Sequence, residues 1–124
     1  MKRLLLYLVG LWFLWSQVGS AYGDDKVVRI EIHIKEHKFI PDVVEVPAGK
    51  KIELTIYNQD KTAEEFESPD LKREKLIPGN TKIKIILAPL KAGEYKFFGE
   101  FFLETAQGKL IVKELLNLES GVNE

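Results

Sequence analysis

The chain has 124 residues, sets 18 Lys and Arg against 19 Asp and Glu, and contains no cysteine. A near-neutral balance with no basic patch along the chain excludes nucleic acid as a partner. The missing thiols exclude both disulfides and thiolate–metal bonds, so an apolar core must hold the fold.

Residues 1–23 have the layout of a signal peptide: Lys2 and Arg3 precede an apolar run from Leu4 to Leu14, and the small residues Gly19, Ser20 and Ala21 follow. Cleavage is expected after Ala21 or Gly23. The alternative, a retained anchor, has only Leu4–Val18 available, about 15 residues where a spanning helix needs about 20. Residues 24–124 then form one small exported domain with 16 basic and 19 acidic residues, net −3.

From Val27 to Ile34, apolar Val28, Ile30, Ile32 and Ile34 alternate with Arg29, Glu31 and His33, the period of a half-buried strand. His33 falls on the solvent side. Val43, Val44 and Val46 make a shorter β-branched run, and alternation returns at Ile52–Ile56, Ile83–Leu87, Tyr95–Phe97 and Leu110–Val112. Turn signals separate the runs at Pro41-Asp42, Pro47-Ala48-Gly49, Pro78-Gly79-Asn80 and Ala92-Gly93. Short strands at roughly ten-residue spacing predict an all-β, antiparallel sandwich. Ser68–Lys75, SPDLKREK, predicts a turn of helix inside a long loop, with Ser68 as cap and Pro69 in the first turn. The tail from Glu114 is either a short helix over Leu115, Leu116 and Leu118 or a frayed end.

The stretch Tyr95–Val112, YKFFGEFFLETAQGKLIV, resembles the ligand loop of blue-copper proteins, in which a Y-x-F strand ends in a cysteine and a histidine follows. Gly99 stands at the cysteine position and Phe102 at the histidine position, so type 1 copper is excluded. EHKFIP, VPAGKKIELTIYNQD, EEFESPDLKREKLIPG, LKAGEYKFFGEF and TAQGKLIV together resemble the cupredoxin-like domain related to EfeO-type periplasmic iron-uptake proteins. The resemblance covers nearly all of residues 24–124. It implies a cupredoxin-like Greek-key β-sandwich that binds or moves iron or copper in metal uptake or delivery, with a membrane iron permease or another periplasmic protein as partner. It also implies candidate ligand positions at His37 or Phe39, at Glu65 and Glu67, and at Gly99, Glu100 and Phe102.

Glu65 and Glu67 are two apart, so on an extended segment both carboxylates face one way and Phe66 the other. Hard oxygen donors suit ferric iron, Mn²⁺ or Ca²⁺, and the His37 nitrogen shifts preference toward Cu²⁺, Zn²⁺ or Fe²⁺. The metal-site candidates are therefore His37, Glu65, Glu67 and Glu100. The competing reading is a solvated loop edge, with Glu64, Glu65 and Glu67 paired to Lys61, Lys72 or Arg73. Of Phe97, Phe98, Phe101 and Phe102, alternation buries only half, leaving an apolar patch near the loop. A metal-free docking module built on Phe101, Phe102 and Leu103 is thus the alternative function. No enzyme is expected: Ser68 and Ser120 sit in no nucleophile pattern, and no phosphate-binding Gly-rich loop is present.

Overall fold

The computed structural model describes residues 26–115; the expected signal peptide and most of the C-terminal tail lie outside them. Nine strands build two sheets: β1 Val28–Lys35, β2 Lys38–Ile40, β3 Val43–Pro47, β4 Ile52–Asn58, β5 Glu64–Ser68, β6 Arg73–Ile77, β7 Lys82–Leu87, β8 Gly93–Gly99 and β9 Gln107–Lys113. A 3-10 turn, Glu100–Phe102, follows β8. The four-stranded sheet has the order β2-β1-β4-β7 and the five-stranded sheet β3-β9-β8-β5-β6. This is an all-β sandwich of two sheets, as expected.

The alternating strands turn Ile32, Ile34, Ile52, Leu54, Ile56 and Leu110 inward, each at most 1% exposed, and apolar burial of this kind is what stabilises the fold without cross-links. Phe66 and Phe97 fill the centre with rings tilted by 31° at 5.3 Å, and Phe39 meets both edge-on. Phe66 and Phe97 come from the five-stranded sheet and Phe39 from the other, so this cluster ties the layers together.

Two expectations are corrected. The sandwich is not purely antiparallel: β1 pairs with β4, and β3 with β9, in parallel. The chain passes from β1 and β2 across to β3 in the other sheet and back to β4, so β4 returns beside β1 in the same direction instead of closing a hairpin. Nor does Ser68–Lys75 contain a helix. Residues Pro69–Lys72 form a tight turn, closed by Lys72 N–H donating to the Pro69 carbonyl, with Lys72 at φ 57°. The Ser68 hydroxyl accepts the Leu71 N–H at 3.1 Å, a cap-like bond, but the chain then enters β6, which pairs antiparallel with β5 from Glu64↔Ile77 to Ser68↔Arg73. Ladder hydrogen bonds to β5 outweigh the weak helical preference of so short a segment.

Candidate metal centre

The Glu64–Ser68 segment is strand β5, not a loop. Inward-facing Glu64, Phe66 and Ser68 are buried, and Glu65 and Glu67 are half-buried on the outer face. Strand β8 pairs with β5 through Phe66↔Gly99 and Glu67↔Phe98. Continuing that antiparallel register by one step sets Glu100 opposite Glu65, just where β8 gives way to the 3-10 turn. On its other side β5 meets β6, which places Glu74 opposite Glu67. Four glutamates therefore meet on one face, and carboxylate oxygens of Glu65, Glu67 and Glu100 lie within 4.8 Å of one another.

Like charges this close share protons. Glu65 is pushed up to about 7, first by its hydrogen bond with Glu100 and next by Glu74. Glu67 is also raised, chiefly by its hydrogen bond with Glu100. Glu100 is lowered because the carboxyls of Glu67 and Glu65 hydrogen-bond to it. Among the described residues, no Lys or Arg within ion-pair distance offsets Glu65, Glu67 or Glu100. Arg73, a partner in the solvated-edge reading, donates instead to the carbonyls of Lys72 and Ile86.

The donor set suits a hard cation. Two oxygens on opposite sides of an ion with bonds of about 2.1–2.6 Å stand about 4–5 Å apart, so a group within 4.8 Å needs little rearrangement to close on one.

His37 lies outside this carboxylate group. The Asp60 carboxylate accepts the N–H groups of Glu36 and His37 at 2.8 and 2.9 Å, holding both residues at positive φ. The ring is thereby laid flat on Phe102, centroids 3.5 Å apart and 4° from parallel, with Nε2 3.3 Å from the Thr62 hydroxyl. Phe39 is in the core. His33 is partly exposed and stacks on Tyr57 at 4.8 Å. Of the four phenylalanines only Phe97 is buried, one fewer than the half expected from alternation: Phe98 and Phe102 are half-buried and Phe101 is 50% exposed, because the strand period ends where the chain enters the 3-10 turn Glu100–Phe102.

Two glutamates escaped the sequence reading. Glu74 was hidden by the helical reading of its segment. Glu64 is 1% exposed; one carboxylate oxygen accepts two N–H groups, and the other, Oε2, is buried without a partner. The signal for Glu64 was available, because the alternation that sends Glu65 and Glu67 outward sends Glu64 inward with Phe66. Gly99 faces the same interior space. A Cβ there would collide with the Glu64 carboxyl and stand 2.7 Å from Ala106 Cβ, so only glycine fits beside Glu64.

The cupredoxin-like domain family matches residues 5–112. An uncharacterized protein of Rickettsia prowazekii (strain Madrid E) is 46% identical over 110 residues, spanning 89% of this chain and 88% of that protein. Among solved structures, auracyanin A, a blue copper protein of Chloroflexus aurantiacus, matches with TM-score 0.62 and 19% identity over 71% of this chain and all of its own. The metal-binding domain of the Cu(I)-exporting P-type ATPase CopA of Streptococcus pneumoniae D39 matches with TM-score 0.60 and 16% identity over 73% of this chain and 99% of its own. A heme-copper terminal oxidase structure matches with TM-score 0.59 and 15% identity over 90% of this chain and 97% of its own. At these identities the structural matches speak for the fold. With the family pattern spanning most of its length, the chain belongs to the cupredoxin-like domain family.

Proposed function

We propose that the protein is a non-enzymatic, exported metal-binding protein that takes up or delivers a metal ion through Glu65, Glu67 and Glu100, with Glu74 at the margin. The observation that carries this reading is the convergence of three carboxylates that no Lys or Arg among the described residues pairs with. Copper recurs among proteins that share the fold, but an oxygen-only donor set favours ferric iron or another hard ion over copper. A copper ion would call for the His37 nitrogen, and His37 lies outside the group formed by Glu65, Glu67 and Glu100. The resemblance of the sequence to EfeO-type iron-uptake proteins is the support for iron as cargo and for a membrane iron permease or a periplasmic protein as recipient. The test is elemental analysis after incubation with Fe³⁺, Cu²⁺ or Zn²⁺ and removal of excess. Stoichiometric iron that disappears in Glu65→Ala/Glu67→Ala is expected; a protein that emerges empty of all three abandons the reading.

A second reading, a metal-free docking module, rests on the 50% exposure of both Phe101 and Leu103 beside the stacked Phe102. It predicts that Phe101→Asp/Leu103→Asp abolishes co-purification with a membrane or periplasmic protein while the thermal transition is preserved. Retained co-purification would count against it.

A further inference from the structure

The seam between β5 and β8 has only two paired positions, and side chains secure it at both ends. At one end the Ser68 hydroxyl donates to the Lys96 carbonyl at 2.6 Å and the Asp70 carboxylate accepts the Lys96 N–H at 2.8 Å. At the other, the ladder stops at Gly99 because the chain turns into Glu100–Phe102. There Glu64 Oε1 accepts the N–H of Glu65 at 2.8 Å and of Phe101 at 2.9 Å. One oxygen thus bridges the backbone of the first candidate ligand to the residue directly after the last one.

We propose that Glu64 is the positioning residue of the carboxylate site: its buried carboxyl clamps the backbone at Glu65 to the backbone at Phe101 and so holds Glu65 and Glu100 face to face. This inference rests on the carboxylate-site reading for its purpose, though the clamp itself rests on the two hydrogen bonds. The outward carboxylates repel one another, and the 3-10 turn has no side-chain cap of its own; its far end is held by the Phe102 carbonyl, which accepts the N–H groups of Thr105 and Ala106, and by the stack of Phe102 on His37, so Glu64 is the tie at the Glu100 end. Glu64 continues the seam for one more residue from the interior side. Gly99 is part of the device, since any Cβ there claims the space of the Glu64 carboxyl. The arrangement is costly, because Glu64 Oε2 stays buried with no donor, and an unsatisfied buried polar atom is normally selected against unless the group serves a purpose.

The test compares Glu64→Gln, Glu64→Leu and Gly99→Ala in the full chain by amide hydrogen exchange and by Mn²⁺ titration. Glutamine retains an oxygen acceptor for both N–H groups. Leucine fills similar volume with none, and Gly99→Ala leaves the carboxyl chemically unaltered but crowds it, and Ala106 Cβ with it. In Glu64→Leu and Gly99→Ala, exchange at the Glu65 and Phe101 amides is expected to accelerate by about tenfold or more while amides of β1 and β4 are unchanged. Mn²⁺ affinity is expected to fall by about 10–100-fold, as for the loss of groups that orient metal ligands. Glu64→Gln should stay within about threefold of wild type on both readouts. Unchanged exchange at Phe101 in both disruptive variants would overturn the clamp, and accelerated exchange with undiminished Mn²⁺ affinity would overturn its positioning role. Accelerated exchange in a protein whose wild type binds no Mn²⁺ would support the clamp and remove the carboxylate-site reading alone. Should Glu64→Leu fail to fold, Gly99→Ala supplies the same readouts.

Discussion

Glu53 on the four-stranded sheet and Glu65 on the five-stranded sheet both project outward from strands flanked on either side, yet their surroundings are opposite. Glu53 lies between Arg29, 2.9 Å away, and Lys84, and these cations hold its carboxyl below the usual range, Lys84 first. Glu65 faces Glu100 and Glu74, and its carboxyl is pushed up to about 7. Cross-strand opposite charges stabilise a sheet and like charges directly opposite destabilise it. A fold that completes one carboxylate with two cations and leaves three others to share protons carries a local cost on the second face, and a bound cation would remove it.

The largest expected effect comes from the residue both faces depend on. Phe66 is fully buried between outward Glu65 and Glu67 and packs against Phe39 and Phe97. Phe66→Ala should cost about 3–5 kcal/mol in chemical denaturation. A loss below 1 kcal/mol would mean that the two layers are not tied through this cluster.

Next come paired changes that separate the two faces. Glu65→Gln/Glu67→Gln should abolish metal binding and raise the melting temperature of the metal-free protein, because it removes repulsion. Glu53→Gln should lower the melting temperature and leave metal binding intact. Scanning calorimetry with and without metal checks both signs, and shifts of the same sign in the metal-free proteins would erase the contrast.

The pH dependence follows from the same carboxyls. The folded protein holds the Glu65 proton up to about 7, whereas the unfolded chain releases it near 4.5. Between those values the native state binds more protons, so this group makes stability fall as pH rises through the window. Glu53 works in the opposite sense: its contribution is present above the unfolded value near 4.5 and is lost as pH falls through its lower folded value. Urea midpoints across pH 3–8 should therefore lose their decline toward neutrality in Glu65→Gln and part of their acid limb in Glu53→Gln. A parallel pH profile in wild type and Glu65→Gln would contradict the proton-sharing account.

The smallest effect is ionic. Raising NaCl from 0.1 M to 1 M shortens the screening length from about 10 Å to about 3 Å. Salt should then raise the metal-free melting temperature of wild type more than that of Glu65→Gln/Glu67→Gln. Equal salt responses would mean that the repulsion is already relieved by solvent.

The sandwich was legible wherever one strand face is apolar. Val28–Ile34, Ile52–Ile56, Ile83–Leu87 and Leu110–Val112 alternate because one side meets the core, and period two is hard to mistake there. Strand β6 was not legible, since four of its five residues are exposed and its charges and preceding Ser-Pro mimic a capped helix. Only pairing with β5, a long-range property, makes it a strand, and Glu74 was lost with it. Glu65, Glu67 and Glu100 were readable as candidates by type and position. What brings them together is the β5–β8 register, which no local pattern encodes. Glu64 shows the converse: the period pointed inward, but the ordinary preference of glutamate for the surface argued the other way. His37 was singled out by type, whereas its setting depends on Asp60, 23 residues away, fixing the turn that lays it on Phe102.

Whether the carboxylates of β5 and β8 form a cation site is decided by calorimetric titration of the metal-free protein with Mn²⁺ at pH 7.5 and pH 5.5. One ion per chain is expected, bound more weakly at the lower pH where Glu65 retains its proton, with no binding to Glu65→Gln/Glu67→Gln. Binding that is equal at both pH values and survives in the double variant would contradict such a site.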